Sequence, residues 1–293
     1  MKDFLILVAH GTRDPEGVNE FRAFAGKVGE SLHHWTVTPS FLELAEPSVL
    51  DAIERAVSLG ASRVLVMPLL LAPAGHMKND VASAVQVARQ TYPAVEFYYG
   101  APLGVDARIL SLLDTRLREA ASQLAPDAKE RTAGLLVGRG SSDPDGNSDV
   151  YKMARLLWEG RLFSWVEVCF AGVTTPSVAE GVARCVALGA DHIIVLPYFL
   201  FTGLLLKRIR EQAESQRERF QRLEVLHARH LGGGAEVLDL LLQRIQEALE
   251  GKVMMNCDLC KYRRKISGFE HEHGAPQVSD HYHGLRTRQV HSS

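Results

Sequence analysis

His10, Glu43 and His76 are the residues of this chain whose types could do chemistry together; they stand in LVAHGTRDPEG, FLEL and LLLAPAGHMKND. A neutral imidazole ligates divalent transition metals and takes up protons near neutrality, and a carboxylate adds charge and an oxygen donor. Two imidazoles and a carboxylate at one cleft therefore suit metal binding, proton transfer or both. Taken singly, each has a bland explanation as an incidental polar residue in a loop. Their weight depends on whether the chain brings them together.

The elements around them argue that it does. FLILVA is a continuous β-rich apolar run, and the loop HGTRDPEG follows it directly. A helical pattern covers about 18–32, and a second strand about 36–42. Glu46-Pro47-Ser48 opens the next helix, with proline near its first turn, and Gly60 ends it as a C-cap. RVLVMPLL is the third strand and VEFYYG the fourth, each followed by a helix. Apolar strands alternating with helices predict a parallel sheet covered on both faces. Ligands bind such sheets at the carboxyl ends of the strands. His10, Glu43 and His76 each follow one of the first three strands, so all three fall on that edge. Gly75 permits an unusual backbone turn beside His76.

The chain then repeats itself. LVAHGTRDPEG returns as LVGRGSSDPDG at an offset of 129 positions. Pro47-Ser48-Val49 matches Pro176-Ser177-Val178, Leu59-Gly60-Ala61 matches Leu188-Gly189-Ala190, and Lys78 matches Lys207 at the same offset. Two copies of one unit follow, with boundaries at 1–124 and 130–250, joined through the polar stretch QLAPDAKER. In the second copy His10 becomes Arg139, Glu43 becomes Gly172 and His76 becomes Leu205. The metal- or proton-handling groups vanish together while the scaffold residues stay. The second copy therefore reads as a structural duplicate that completes a cleft, with Arg139 offering a cation to an anionic ligand. Drift at a loop is the alternative.

Gross features agree. A chain of 293 residues exceeds one ordinary core. A net charge of -2 gives no sign of a nucleic-acid partner. The longest apolar stretch, HIIVLPYFLFTGLLL, is too short to span a membrane and contains Pro197 and Gly203. The N-terminus reads as a strand rather than a leader, so a cytoplasmic enzyme is expected. Cys169 and Cys185 sit in apolar surroundings and read as core.

AHGTRDP, FLELAEPS and LLLAPAGHMKNDV, with AGHxxxD as the most specific element, resemble the motifs of class II chelatases of the sirohydrochlorin type. The resemblance spans about residues 3–250. It implies two tandem chelatase-like α/β domains, each a mostly parallel sheet flanked by helices, in a long fused form. It also implies insertion of Co2+ or Fe2+ into sirohydrochlorin, for cobalamin or siroheme. On matching motif positions, His10 and His76 become the catalytic pair and metal ligands, and Glu43 a supporting carboxylate. The substrate so implied is an anionic tetrapyrrole, and Arg13, Lys78 and Arg139 are candidate cations for its carboxylates. A metal delivery or storage protein on the same scaffold is the rival reading.

Residues 251–293 break the periodic pattern and form a tail expected to be flexible. It carries the CxxC of Cys257 and Cys260, then five histidines from His271 to His291. Relatives resembling this long form carry a similar segment, which points to an iron–sulfur cluster. Two cysteines do not fill the four protein positions of a cluster, so a second chain or another ligand must contribute. Zinc binding and a reversible disulfide stay open. The fused repeats predict a monomer, or a dimer if a cluster is shared.

Overall fold

The computed structural model describes residues 2–160 and 164–253. The first half runs β1 (Asp3–Ala9), α1 (Pro15–Ser31), β2 (Trp35–Phe41), α2 (Val49–Ser58), β3 (Arg63–Pro68), a π-helical turn (His76–Val81) leading into α3 (Ala82–Thr91), β4 (Glu96–Tyr99) and α4 (Ala107–Ala121). A 3-10 turn at Pro126–Arg131 makes the join. The second half runs β5 (Thr132–Gly138), α5 (Pro144–Glu159), β6 (Trp165–Phe170), α6 (Val178–Ala187), β7 (His192–Pro197), α7 (Leu204–Arg219), β8 (Glu224–His227) and α8 (Ala235–Leu249).

Each half builds one four-stranded sheet, ordered β2-β1-β3-β4 and β6-β5-β7-β8. Every strand pair is parallel, for example Phe4 beside Thr36 and Val64. The chain leaves β1 for one neighbour and later returns to its other side, which opens a crevice past the carboxyl ends. Local chemistry fixes where the helices start. Asp14 caps α1 by accepting from the Glu16 amide, with Pro15 at the first helical position. Ser48 and Asp51 form a capping box on α2, matched by Ser177 and Glu180 on α6. Pro47 thus lies just before the cap, outside the first turn expected for it. Gly60 takes a positive φ of 85° just past α2, as a C-terminal glycine should.

Strand alternation sends side chains into separate cores. Along β1, Phe4, Ile6 and Val8 face α2 and α3, whereas Leu5 and Leu7 face a central core. That central core is common to both halves: Phe21 and Phe24 of α1 and Leu113 of α4 share it with Met153 of α5 and Leu240 of α8. A third core lies outside the second sheet, around Val182, Cys185 and Ile209. Cys169 and Cys185 are buried free thiols, and burial pushes the Cys185 thiol up to about 12.

The halves are tied by reciprocal contacts. Lys78 Nζ reaches Asp143 Oδ2 at 2.8 Å and Asp145 Oδ2 at 2.5 Å. Lys207 Nζ reaches Asp14 Oδ2 at 2.7 Å and Glu16 Oε2 at 3.8 Å. Each lysine crosses to the helix start of the other half. The offset of 129 holds through this pair, but it then falls to 128: Glu96 of β4 corresponds to Glu224 of β8, and each lies beside the first residue of the preceding strand in register. The first half holds one extra residue after Lys78, at the π turn. Among the described residues, no helix is long and apolar enough to cross a membrane.

Candidate metal and proton-transfer site

His10 leaves the end of β1, and Glu43 follows the end of β2. Two backbone bonds stitch these loops together: the Leu42 amide donates to the Ala9 carbonyl at 2.9 Å, and the Glu43 amide to the His10 carbonyl at 3.1 Å. The approach is possible because Gly11 has no side chain. A Cβ there stands 1.8 Å from the Glu43 carbonyl oxygen, and φ is 96°, in the left-handed region. The second half keeps the same turn, with Gly140 against the Gly172 carbonyl.

The side chains then meet. His10 Nδ1 lies 3.3 Å from Glu43 Oε1. The guanidinium of Arg139, from the second half, lies 3.6 Å from the same oxygen. One carboxylate therefore sits between an imidazole of one repeat and a cation of the other. Arg139 is half-buried, and that burial lowers its pKa from the usual arginine value, against the opposing pull of Glu43. The backbone of His76 opens the π turn, on the same edge, after β3; its side chain lies outside the described residues. Leu205 holds its counterpart's place at the start of α7 and packs on the outer core of the second half.

The other expected cations divide. Arg13 is exposed in the loop after His10. Lys78, expected to meet a substrate carboxylate, is turned to Asp143 and Asp145 in this structure. Burial alone lowers its pKa, but hydrogen bonds and charge from the two aspartates outweigh that and hold it above the usual lysine value. An ammonium so engaged ties the halves together. Sequence reasoning missed both cross-repeat pairs, although Asp14/Asp143 and Lys78/Lys207 already stood out as matched positions. It also missed Tyr99, whose hydroxyl donates to the Met77 carbonyl at 2.7 Å. Cys257 and Cys260, with the histidines of the tail, lie outside the described residues.

A cavity of about 290 Å³ opens beside the start of α7 and the end of β8. Its ionisable groups are largely engaged: His227 meets Glu214 at 2.7 Å, His230 meets Glu20 at 2.8 Å, and Lys207 meets Asp14. It lies in the half without the histidine pair.

Two parallel sheets fused by one core, with imidazole and carboxylate at an inner edge of one and arginine opposite, define a chelatase-like two-repeat α/β protein. The chain belongs to the CbiX family, whose model matches residues 4–120 and again 133–248. It is 43% identical over 266 residues to the sirohydrochlorin cobaltochelatase of Priestia megaterium, covering 89% of this chain and 85% of that one. It is 34% identical over 250 residues to the sirohydrochlorin ferrochelatase of the same organism, covering 85% of this chain and 92% of that one. The solved structure of SirB from Bacillus subtilis with Fe3+ superposes with a TM-score of 0.71 at 29% identity, over 86% of this chain and 98% of that one.

Proposed function

We infer that the protein is a sirohydrochlorin chelatase, which inserts a divalent metal, Co2+ or Fe2+, into the tetrapyrrole. Cobalt is the metal proposed, since the more similar of the two Priestia megaterium relatives carries the name cobaltochelatase. The observation that carries the reading is the meeting of His10 and Arg139 on one oxygen of Glu43.

Metallation requires that the ion shed water, that it enter the macrocycle, and that two pyrrole N–H protons leave. A base held in place is needed for those protons, and neutral nitrogen donors suit the ion. A proton on His10 Nδ1 faces the Glu43 carboxylate, which fixes the tautomer and puts the basic lone pair on Nε2. Glu43 also stabilises the imidazolium formed when His10 takes a pyrrole proton. His76 is proposed as the second nitrogen ligand or base on that edge. Arg139 and Arg13 are the cations proposed for substrate carboxylates, Arg139 using the donors that Glu43 leaves. The proposed units are 1–124 and 130–250, with the working groups in the first. Cys257 and Cys260 carry no step of this reaction.

The test is an anaerobic visible spectrum of purified protein with excess sirohydrochlorin and Co2+, Fe2+ or both. A chelatase converts many equivalents of tetrapyrrole, and cobalt wins the competition. Binding of metal with no turnover of tetrapyrrole would favour a delivery protein instead.

A further inference from the structure

Three features occur in the first half and are missing at the matching place in the second. The first is His76, where the second half has Leu205. The second is one additional residue. Lys78 and Lys207 are matched by their reciprocal aspartate partners at an offset of 129, yet Tyr92 and Phe220, the caps ending α3 and α7, are 128 apart. The extra residue falls between them and is taken up by the π turn His76–Val81, where α7 is a regular helix. The third is a hydroxyl. Tyr99, last residue of β4, donates to the carbonyl of Met77, inside the π turn and next to His76. Its counterpart in β8 is His227, whose ring goes to Glu214 instead.

We propose that Tyr99 is a positioning residue for His76, latching the π turn through the Met77 carbonyl. The deduction rests on the reading of His76 as a working residue. A π turn is intrinsically less stable than continuous α-helix and is confined to single turns. A slip of one residue rotates helical side chains by about 100°, since a turn holds about 3.6 residues. The second half shows that the scaffold also closes with the shorter, regular helix. Something must therefore hold the wider turn in the half that carries histidine. A hydroxyl from the neighbouring strand end, bonded to the carbonyl of the residue after His76, fixes that turn against the sheet.

Tyr99→Phe removes only the hydroxyl and keeps the ring. The deletion of Asn79 removes the extra residue and gives the helix the length of α7. Both variants, with His76→Ala as reference, are assayed for metallation kinetics and melting. Each is also titrated as apoprotein with Co2+ alone, reading its visible d–d absorption. Tyr99→Phe should lower kcat roughly ten- to hundredfold, the penalty expected of a working group displaced by about 1 Å. KM for the tetrapyrrole should stay within about twofold, because uniform binding is untouched. The Co2+ spectrum should change in intensity while the melt stays cooperative. The deletion variant should fold and lose turnover, and it decides the matter if Tyr99→Phe fails to fold. Normal turnover and a normal Co2+ spectrum in the folded variants, with His76→Ala inactive, would overturn the positioning role alone. Normal turnover in His76→Ala would overturn the reading of His76 and the positioning role with it.

Discussion

Gly11 decides whether Glu43 can approach His10. Its φ of 96° and the absence of a Cβ let the Glu43 carbonyl lie where a side chain would be. The HG dipeptide thus combines a backbone turn that both halves keep with an imidazole that only the first half carries. A non-glycine residue forced into such a conformation costs about 1–3 kcal/mol. Gly11→Ala is therefore expected to lower the melting temperature and, by moving the Glu43 loop, to lower turnover as well. Gly140→Ala meets the Gly172 carbonyl in the same way and should destabilise similarly, but no carboxylate stands there to be displaced. Melting curves and metallation rates of the pair check this; an unchanged melt in both would refute the strain.

The helix starts and strand ends were the elements most legible in the sequence. Apolar runs alternating with helices pointed to parallel sheets, and the strand-end rule placed His10, Glu43 and His76 on one edge. What one-dimensional pattern does not show is which partner a repeated residue meets. Lys78 and Lys207 were visible as a pair, yet each ends on the other repeat's helix start and ties the two halves together. The missing residue in α7 was also invisible, because one gap inside a helix leaves its apolar periodicity nearly intact. The tie can be measured. Lys78→Ala should lower stability by roughly 1–2 kcal/mol, between the ranges for exposed and buried pairs. Lys207→Ala should cost less, since its side chain is 54% exposed against 18% for Lys78. The Lys78 pKa is raised in the folded protein, so its stabilisation is complete below the unfolded lysine value of 10.5 and is lost as pH rises through the folded value. Denaturant midpoints across alkaline pH should show the wild-type advantage over Lys78→Ala closing there. An advantage that grew with alkalinity would contradict the pairing.

At the scale of the whole molecule, the repeat gives two sheets one common core. The central core draws on α1, α4, α5 and α8, so each half buries a face that the other covers. The second half keeps its turn glycine, its capping box and its cross-repeat lysine, all of which the fold requires. It carries Arg139, Gly172 and Leu205 where the first half has His10, Glu43 and His76, and presents Arg139 to the Glu43 of its neighbour. The two halves should therefore respond unequally to matched substitutions. The most direct measurement is steady-state metallation of sirohydrochlorin by His10→Ala and Arg139→Ala, with thermal melting as the control for folding. A positioned base contributes about 10²–10⁴-fold in rate, so His10→Ala should lose turnover on that scale at saturating substrate. Arg139→Ala should raise KM for the tetrapyrrole and leave kcat closer to wild type. Abolished turnover in a folded Arg139→Ala, alongside an active His10→Ala, would place the working site in the second half and contradict the account.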